Sequence, residues 1–202
     1  AQIVAQSLAV NVDDIDVVIG DTSTIPYGMG AASSRQTVTA GSSARTAAEE
    51  VRDKAKRVSA HILEAAEDDL EFANGRIHVK GVPGMSIGLG EIATQLAGAA
   101  TGFSLPAGEK PGLEAHAAEQ IDGLAFSNGA HVAEVEIDLG TGNVTVLNYV
   151  IAHDCGVMVN PLLIDGQVVG GAAHGLGFAM YEKMIWDDQA QPQSTNLAEY
   201  LL

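Results

Sequence analysis

Apolar residues recur at helical spacing from about residue 37 to 66, where Val51, Ala55, Val58 and Ile62 fall on one stripe. That spacing predicts a long amphipathic helix. Glu50/Lys54 and Asp53/Arg57 stand one turn apart and would support its outer face, so its basic residues read as a solvated surface. The period drops to two over residues 131–139, where Ala133, Val135, Ile137 and Leu139 alternate with Glu134, Glu136 and Asp138. This predicts a half-buried strand with an acidic outer face, joined through a turn at 140–143 to a second strand at 144–151. A shorter hairpin is expected between Asp69 and Lys80, where two β-prone runs flank Asn74-Gly75. Weaker signals predict the last turns of a helix at the start of the chain, a buried strand at 16–19, a loop from Gly81 and a short helix from about Gly90. A glycine- and proline-bearing connection follows at 101–111.

One segment breaks the amphipathic rule. After Asn160-Pro161, a capping residue followed by a first-turn proline, the run DGQVVGGAAHGLGFAMYEK is apolar all round yet carries Gly166, Gly170, Gly171, Gly175 and Gly177. Each glycine in a helix costs ~0.5–1 kcal/mol relative to alanine. Close approach of another element or of a flat ligand would supply the reason. Gln167 is the polar side chain expected to face such a ligand; a glycine-seamed contact between helices is the alternative.

A second unusual stretch, GDTSTIPYGMGAASSRQTVTAG at 20–41, has few large apolar residues and leads into the long helix. Its glycines let backbone approach a ligand closely. Ser33, Ser34, Thr37 and Thr39 offer hydroxyls, Arg35 a planar donor fork and Gln36 an amide. A strand, a turn and a helix N-terminus would favour an anionic or polar ligand there. An ordinary capped loop would use the same residue types, and the stretch matches neither the phosphate loop nor the dinucleotide fingerprint. Asp21, Thr22 and Tyr27 are expected to shape the loop ahead of the binding residues.

Composition narrows the classes. The chain has 202 residues with 47% hydrophobic and 4% aromatic content, enough for one substantial core or two small ones built from small side chains. Its formal net charge of −16 repels a phosphate backbone, which argues against nucleic acid as a partner. One cysteine, Cys155, excludes an internal disulfide and any multi-cysteine metal site within this chain. No run of 18 apolar residues suggests a membrane span, and the expected location is cytoplasmic. Cys155 and His153 could suggest a metal pair or a nucleophile pair, but a buried structural cysteine is the expectation. His174 is expected to line the core; His61, His78, His116 and His131 share no spacing that assigns them a role.

These two stretches, with HDCGVMVNPLLIDGQVVGGAAHGLGFAMYE followed by STNLAEYLL, resemble the molybdenum-binding large subunit of the xanthine oxidase family. The likeness is strongest to the bacterial branch that includes carbon monoxide dehydrogenase and the aldehyde and N-heterocycle hydroxylases. It runs over nearly the whole chain in order and spacing. The resemblance implies a molybdenum-pyranopterin cofactor, as the cytosine dinucleotide, with Ser33 nearest the metal and Ser34, Arg35, Gln36 and Thr37 along the pterin and phosphates. Gln167 corresponds to the family's glutamine that hydrogen-bonds the pterin. Both stretches are thus expected to grip one flat, phosphate-bearing molecule.

The implied reaction oxidises an aldehyde, an N-heterocycle or carbon monoxide with water as the oxygen source. FAD and 2Fe-2S clusters on partner subunits of an oligomer would take the electrons. The family's catalytic glutamate and its upstream glycine–glutamine segment have no counterpart here. Neither Glu182 nor Glu199 stands in the catalytic motif, so no catalytic residue or metal ligand is assigned within the chain. It is expected to be a C-terminal part of a large subunit, truncated at both ends and inactive alone, or one piece of a split subunit. The implied fold is α+β, a layered mixed sheet with helices. Residues 1–125 would form an α/β half with the cofactor loop (20–41) and the long helix, and 126–202 a hairpin plus glycine-rich helix half, together one incomplete unit. A non-catalytic assembly module, or one binding a nucleotide-like ligand without turnover, is the alternative.

Overall fold

The computed structural model describes residues 1–25, 28, 30–98, 103–123 and 125–202. They form two compact units, 1–124 and 125–202.

In the first unit, α1 (Gln2–Leu8) packs against α2 (Gln36–Leu63), the long helix that the apolar stripe predicts. Ala55 and Val58 on that stripe are fully buried, and Ile62 packs beside them. Strands β1 (Leu70–Ala73), β2 (Arg76–Val79) and β3 (Val82–Gly88) form an antiparallel sheet in that order. Helix α3 (Leu89–Leu96) follows directly. Leu70, Ile77, Ile87, Ile92 and Leu96 close the core over α2. The β1–β2 turn takes left-handed φ at Asn74 (51°) and Gly75 (71°), as a two-residue Asn-Gly hairpin requires.

Two expectations fail in this unit. Residues 81–88, expected as loop, supply β3; Pro83 is accommodated because β3 is an edge strand that needs no donor on its outer side. Residues 16–19, expected as a buried strand, have no strand partner among the described residues, and Val17, Val18 and Ile19 are exposed. Along α2, Asp53 acts on Arg57 by charge from one turn away, as expected. Arg45 pairs with Glu49 at 2.7 Å and Arg57 reaches outside the helix to Glu109 at 2.5 Å, while Arg52 lies over the Phe72 ring, 4.9 Å from its centroid.

In the second unit, β4 (Asn128–Ile137) and β5 (Val144–Asp154) pair antiparallel with a bulge between Glu134 and Val135. Helix α4 (Pro161–Met180) starts as expected, with the Asn160 side chain accepting from the Leu163 N–H at 3.3 Å. The opposed pairs Ala133/Tyr149, Val135/Val146 and Ile137/Val144 share one apolar face. That face is not half-buried as the alternation suggested: Val135, Ile137 and Val144 are all exposed. Ser194 is the buried residue of this unit among those described. Its hydroxyl donates to the Lys183 carbonyl at 2.8 Å and accepts from the Ile185 N–H at 3.2 Å. No helix among the described residues is long and apolar enough to cross a membrane.

Candidate cofactor-binding site

The loop that leads into α2 is built by turns. Asp21 accepts through Oδ1 from the Ser23 N–H (2.9 Å) and hydroxyl (2.6 Å), and its carbonyl accepts from the Ile25 N–H at 2.9 Å. The Ser23 hydroxyl, first among these bonds, holds the Asp21 carboxyl below the usual carboxylate range. This is the loop-shaping role expected of Asp21; Tyr27 lies outside the described residues.

Past Gly30, a second turn closes when the Arg35 N–H donates to the Ala32 carbonyl at 3.3 Å. Its two central residues, Ser33 and Ser34, both take left-handed φ, 52° and 54°. That conformation suits glycine or asparagine, and costs other L-residues ~1–2 kcal/mol each. The turn ends at the first residues of α2. Arg35 occupies the N-cap without a side-chain capping bond, and no acidic residue stands in the first turn. The Gln36, Thr37 and Val38 amides begin the helix and so lie beyond the reach of its i→i−4 ladder. Ser33, Ser34, Gln36 and Thr37 are exposed and Arg35 is half-buried. Two exposed hydroxyls, a guanidinium and the positive end of a 28-residue helix dipole therefore lie within a few consecutive residues, residue types that suit an anionic group.

In the second unit, Gln167 is exposed on α4. Ile164, Val168, Ala172, Leu176 and Met180 form the half-buried stripe of that helix, and Gln167 lies on the opposite side with Gly170, Gly171 and His174 at helical spacing. Beyond the chain neighbours and the helix's own backbone, no described atom lies within 4 Å of where a β-carbon would stand on Gly166, Gly170, Gly171 or Gly175. No neighbouring element of this unit therefore explains these glycines. They leave a strip of bare backbone between two polar side chains. Gly177 differs: a β-carbon there would meet Glu182 Oε1 at 3.0 Å.

Several single-residue expectations change. Cys155 is exposed rather than buried, because it stands in the turn just past the end of β5. His174 is likewise exposed rather than core-lining. Glu182 accepts the Tyr200 hydroxyl at 2.7 Å, and Glu199 accepts from Asn196 Nδ2 at 2.9 Å and from the Thr195 N–H at 3.3 Å. Both carboxylates thus hold local structure. The left-handed serine pair was not foreseeable from residue type, since Ser-Ser carries no preference for that conformation.

A family described as "Molybdopterin cofactor-binding domain" matches residues 1–202. The 6-hydroxypseudooxynicotine dehydrogenase complex subunit gamma of Paenarthrobacter nicotinovorans is 39% identical over 203 residues, covering 100% of this chain and 25% of that one. The carbon monoxide dehydrogenase large chain of Hydrogenophaga pseudoflava is 36% identical over 202 residues, covering 100% and 24%. Among solved structures, reconstituted CO dehydrogenase from Oligotropha carboxidovorans superposes with a TM-score of 0.86 at 34% identity, over 99% of this chain and 24% of that one. Quinoline 2-oxidoreductase from Pseudomonas putida 86 gives 0.85 at 36%, over 99% and 25%. The chain spans about a quarter of the length of the curated relatives it matches. Its α+β fold is that of the corresponding portion of these large subunits, and the chain belongs to the molybdopterin cofactor-binding domain family of the carbon monoxide dehydrogenase and xanthine oxidase group.

Proposed function

We propose that Ser33, Ser34, Arg35, Gln36 and Thr37, and separately Gln167, are contacts to a molybdenum-pyranopterin in its cytosine dinucleotide form. The chain would hold this cofactor as part of a larger molybdenum hydroxylase. The observation that carries the reading is the pair of left-handed serines folded against the open N-terminus of α2. Two strained, non-glycine residues side by side persist where function rewards the geometry, and here they present hydroxyls and first-turn amides to one anionic group.

In this reading Arg35 and the first-turn amides neutralise phosphate, Ser33 and Ser34 orient the pterin end, and Gln167 offers donor and acceptor to a heterocycle edge. The bare strip at Gly170 and Gly171 lets that ring lie flat on backbone. When bound, the cofactor supplies two-electron oxidation of an electron-poor carbon with water as the oxygen source. The substrate class is an aldehyde, an N-heterocycle or carbon monoxide, in keeping with relatives named as carbon monoxide dehydrogenase and nicotine hydroxylase. Electrons would leave through 2Fe-2S and FAD centres on partner subunits of an oligomeric complex.

The test is metal analysis and acid release of CMP from the large subunit purified in its complex, compared with Arg35→Ala and Gln167→Ala. Stoichiometric molybdenum and CMP that fall in both variants support the reading. A complex that binds CMP but never molybdenum would instead identify a nucleotide-binding module without turnover. Unchanged contents in both variants would remove these residues from the site.

A further inference from the structure

Residues 103–123 contain no helix or strand, yet they are tied along one side of α2. Phe103 meets His61 edge to face at 6.2 Å, Glu109 pairs with Arg57, and Glu119 reaches Thr46 and Ser43. The order of these ties follows the helix backwards, so the strap runs from the C-terminal end of α2 toward its start. The last tie is double: the Thr46 hydroxyl donates to Glu119 Oε1 at 2.7 Å, and the Glu119 N–H donates to Ser43 Oγ at 3.0 Å.

From Ser43 the bonding continues toward the cofactor loop. Ser43 Oγ donates to the Thr39 carbonyl at 3.2 Å. Thr39 in turn donates to the Arg35 carbonyl twice, from its hydroxyl at 3.1 Å and from its N–H at 2.9 Å. Arg35 is the N-cap of α2 and closes the Ser33–Ser34 turn. An irregular strap is thus linked, through two hydroxyl side chains, to the residue that fixes the strained turn.

We infer that Glu119 and Ser43 are positioning residues for the cofactor loop. The strap, clamped at Glu119, holds Ser43 and Thr39 in the rotamers that brace the first two turns of α2 and with them the Ser33–Arg35 turn. Hydroxyl side chains in a helix ordinarily bond back to their own carbonyls and loosen it slightly. Here the strap's Glu119 amide donates to the Ser43 oxygen while the hydroxyl donates to Thr39, so the same side chain is fixed from both sides. The assignment rests on the cofactor reading of the 33–37 loop, and its test is chosen to separate the two.

The experiment is amide hydrogen exchange across residues 36–44 in the intact complex, prepared without molybdate so that no cofactor contributes protection. Alanine is a better helix former than serine, so a merely local effect of Ser43→Ala would slow exchange there. The relay requires the opposite sign: roughly fivefold faster exchange, the factor expected for one hydrogen bond. Glu119→Ala should accelerate the same amides, Glu119→Gln should restore them, and the Ser43→Ala/Glu119→Ala double variant should be no faster than the faster single. Exchange over β1–β3 should stay unchanged. Slower or unchanged exchange in Ser43→Ala, or acceleration spread evenly over the whole unit, overturns the inference. If exchange at 36–44 rises as stated while molybdenum and CMP contents of the molybdate-grown variants match the parent, the relay stands and the cofactor reading of the loop falls.

Discussion

The Cδ1 atom of Ile3 stands 3.0 Å from where a β-carbon on Gly41 would be, so α1 rests on bare backbone within the second turn of α2. Two effects oppose each other at this position. Alanine in place of glycine stabilises a helix by ~0.5–1 kcal/mol, while displacing Ile3 from its rotamer costs ~0.5–1.5 kcal/mol. Gly41→Ala alone is therefore expected to change unfolding free energy by less than ~1 kcal/mol. In an Ile3→Val background the obstructing methyl is gone, and the same substitution should stabilise by ~0.5–1 kcal/mol. A double-mutant cycle in urea measures the difference; equal effects in both backgrounds would show that the contact does not limit the approach of α1.

Ser59 sits on the core side of α2 with no solvent exposure, and its hydroxyl has no hydrogen-bond partner among the described residues. A buried donor left unpaired costs ~1–3 kcal/mol, and serine is the weaker helix former of the pair. Ser59→Ala should stabilise the first unit by about 1 kcal/mol, a rise in Tm of ~2–4 °C for a chain of this size. A fall in Tm on differential scanning calorimetry would mean that the hydroxyl has a partner in solution.

Tyr200 donates its hydroxyl to Glu182 Oε2 at 2.7 Å, and this bond, ahead of desolvation and the carboxylate's charge, raises the phenol above its ordinary value of 10.0. A pKa higher in the folded state than in the unfolded state means that the contact contributes fully below pH ~10 and is lost as pH rises through the folded value. Of the four tyrosines, Tyr200 should therefore ionise late in an alkaline titration followed by tyrosinate absorbance. Tyr200→Phe should remove that late component, and Glu182→Gln should bring it back toward the ordinary value. A late component surviving in Tyr200→Phe would assign the shift to another tyrosine.

What could be read from residue order divides along the two units. Helix α2 and the β1–β2 hairpin were legible because their signals are local and their apolar residues find partners nearby: Val58 joins Ile77 and Ile92 within one small core. Strand β3 was hidden by Pro83 and two flanking glycines, which mark a loop unless the strand lies at a sheet edge. Alternation in β4 correctly placed Ala133, Val135 and Ile137 on one face, but not the bulge at Glu134/Val135 nor the burial, since Val135 and Ile137 are exposed. The residue types of the 33–37 loop were legible as donors. Its left-handed serines and its link to Glu119 were not, because both arise from contacts that no short-range pattern encodes.

The open strip on α4 makes a prediction of opposite sign in two settings. A β-carbon on Gly170 would meet no described atom within 4 Å beyond its chain neighbours and the helix's own backbone, so Gly170→Ala adds a methyl to open space while removing the entropic penalty of glycine. In this chain the substitution should stabilise α4 by ~0.5–1 kcal/mol, and Gly171→Ala should do the same. If the strip carries the flat face of the proposed cofactor, the same methyl stands where the ring must lie. Molybdenum and CMP content of the complex should then fall in both variants although the helix itself is stronger. Circular dichroism melting of the chain and metal analysis of the complex read the two effects separately. Stabilisation of the helix with undiminished cofactor content would mean that the glycines serve a different contact, and Gln167 would lose its assigned neighbour.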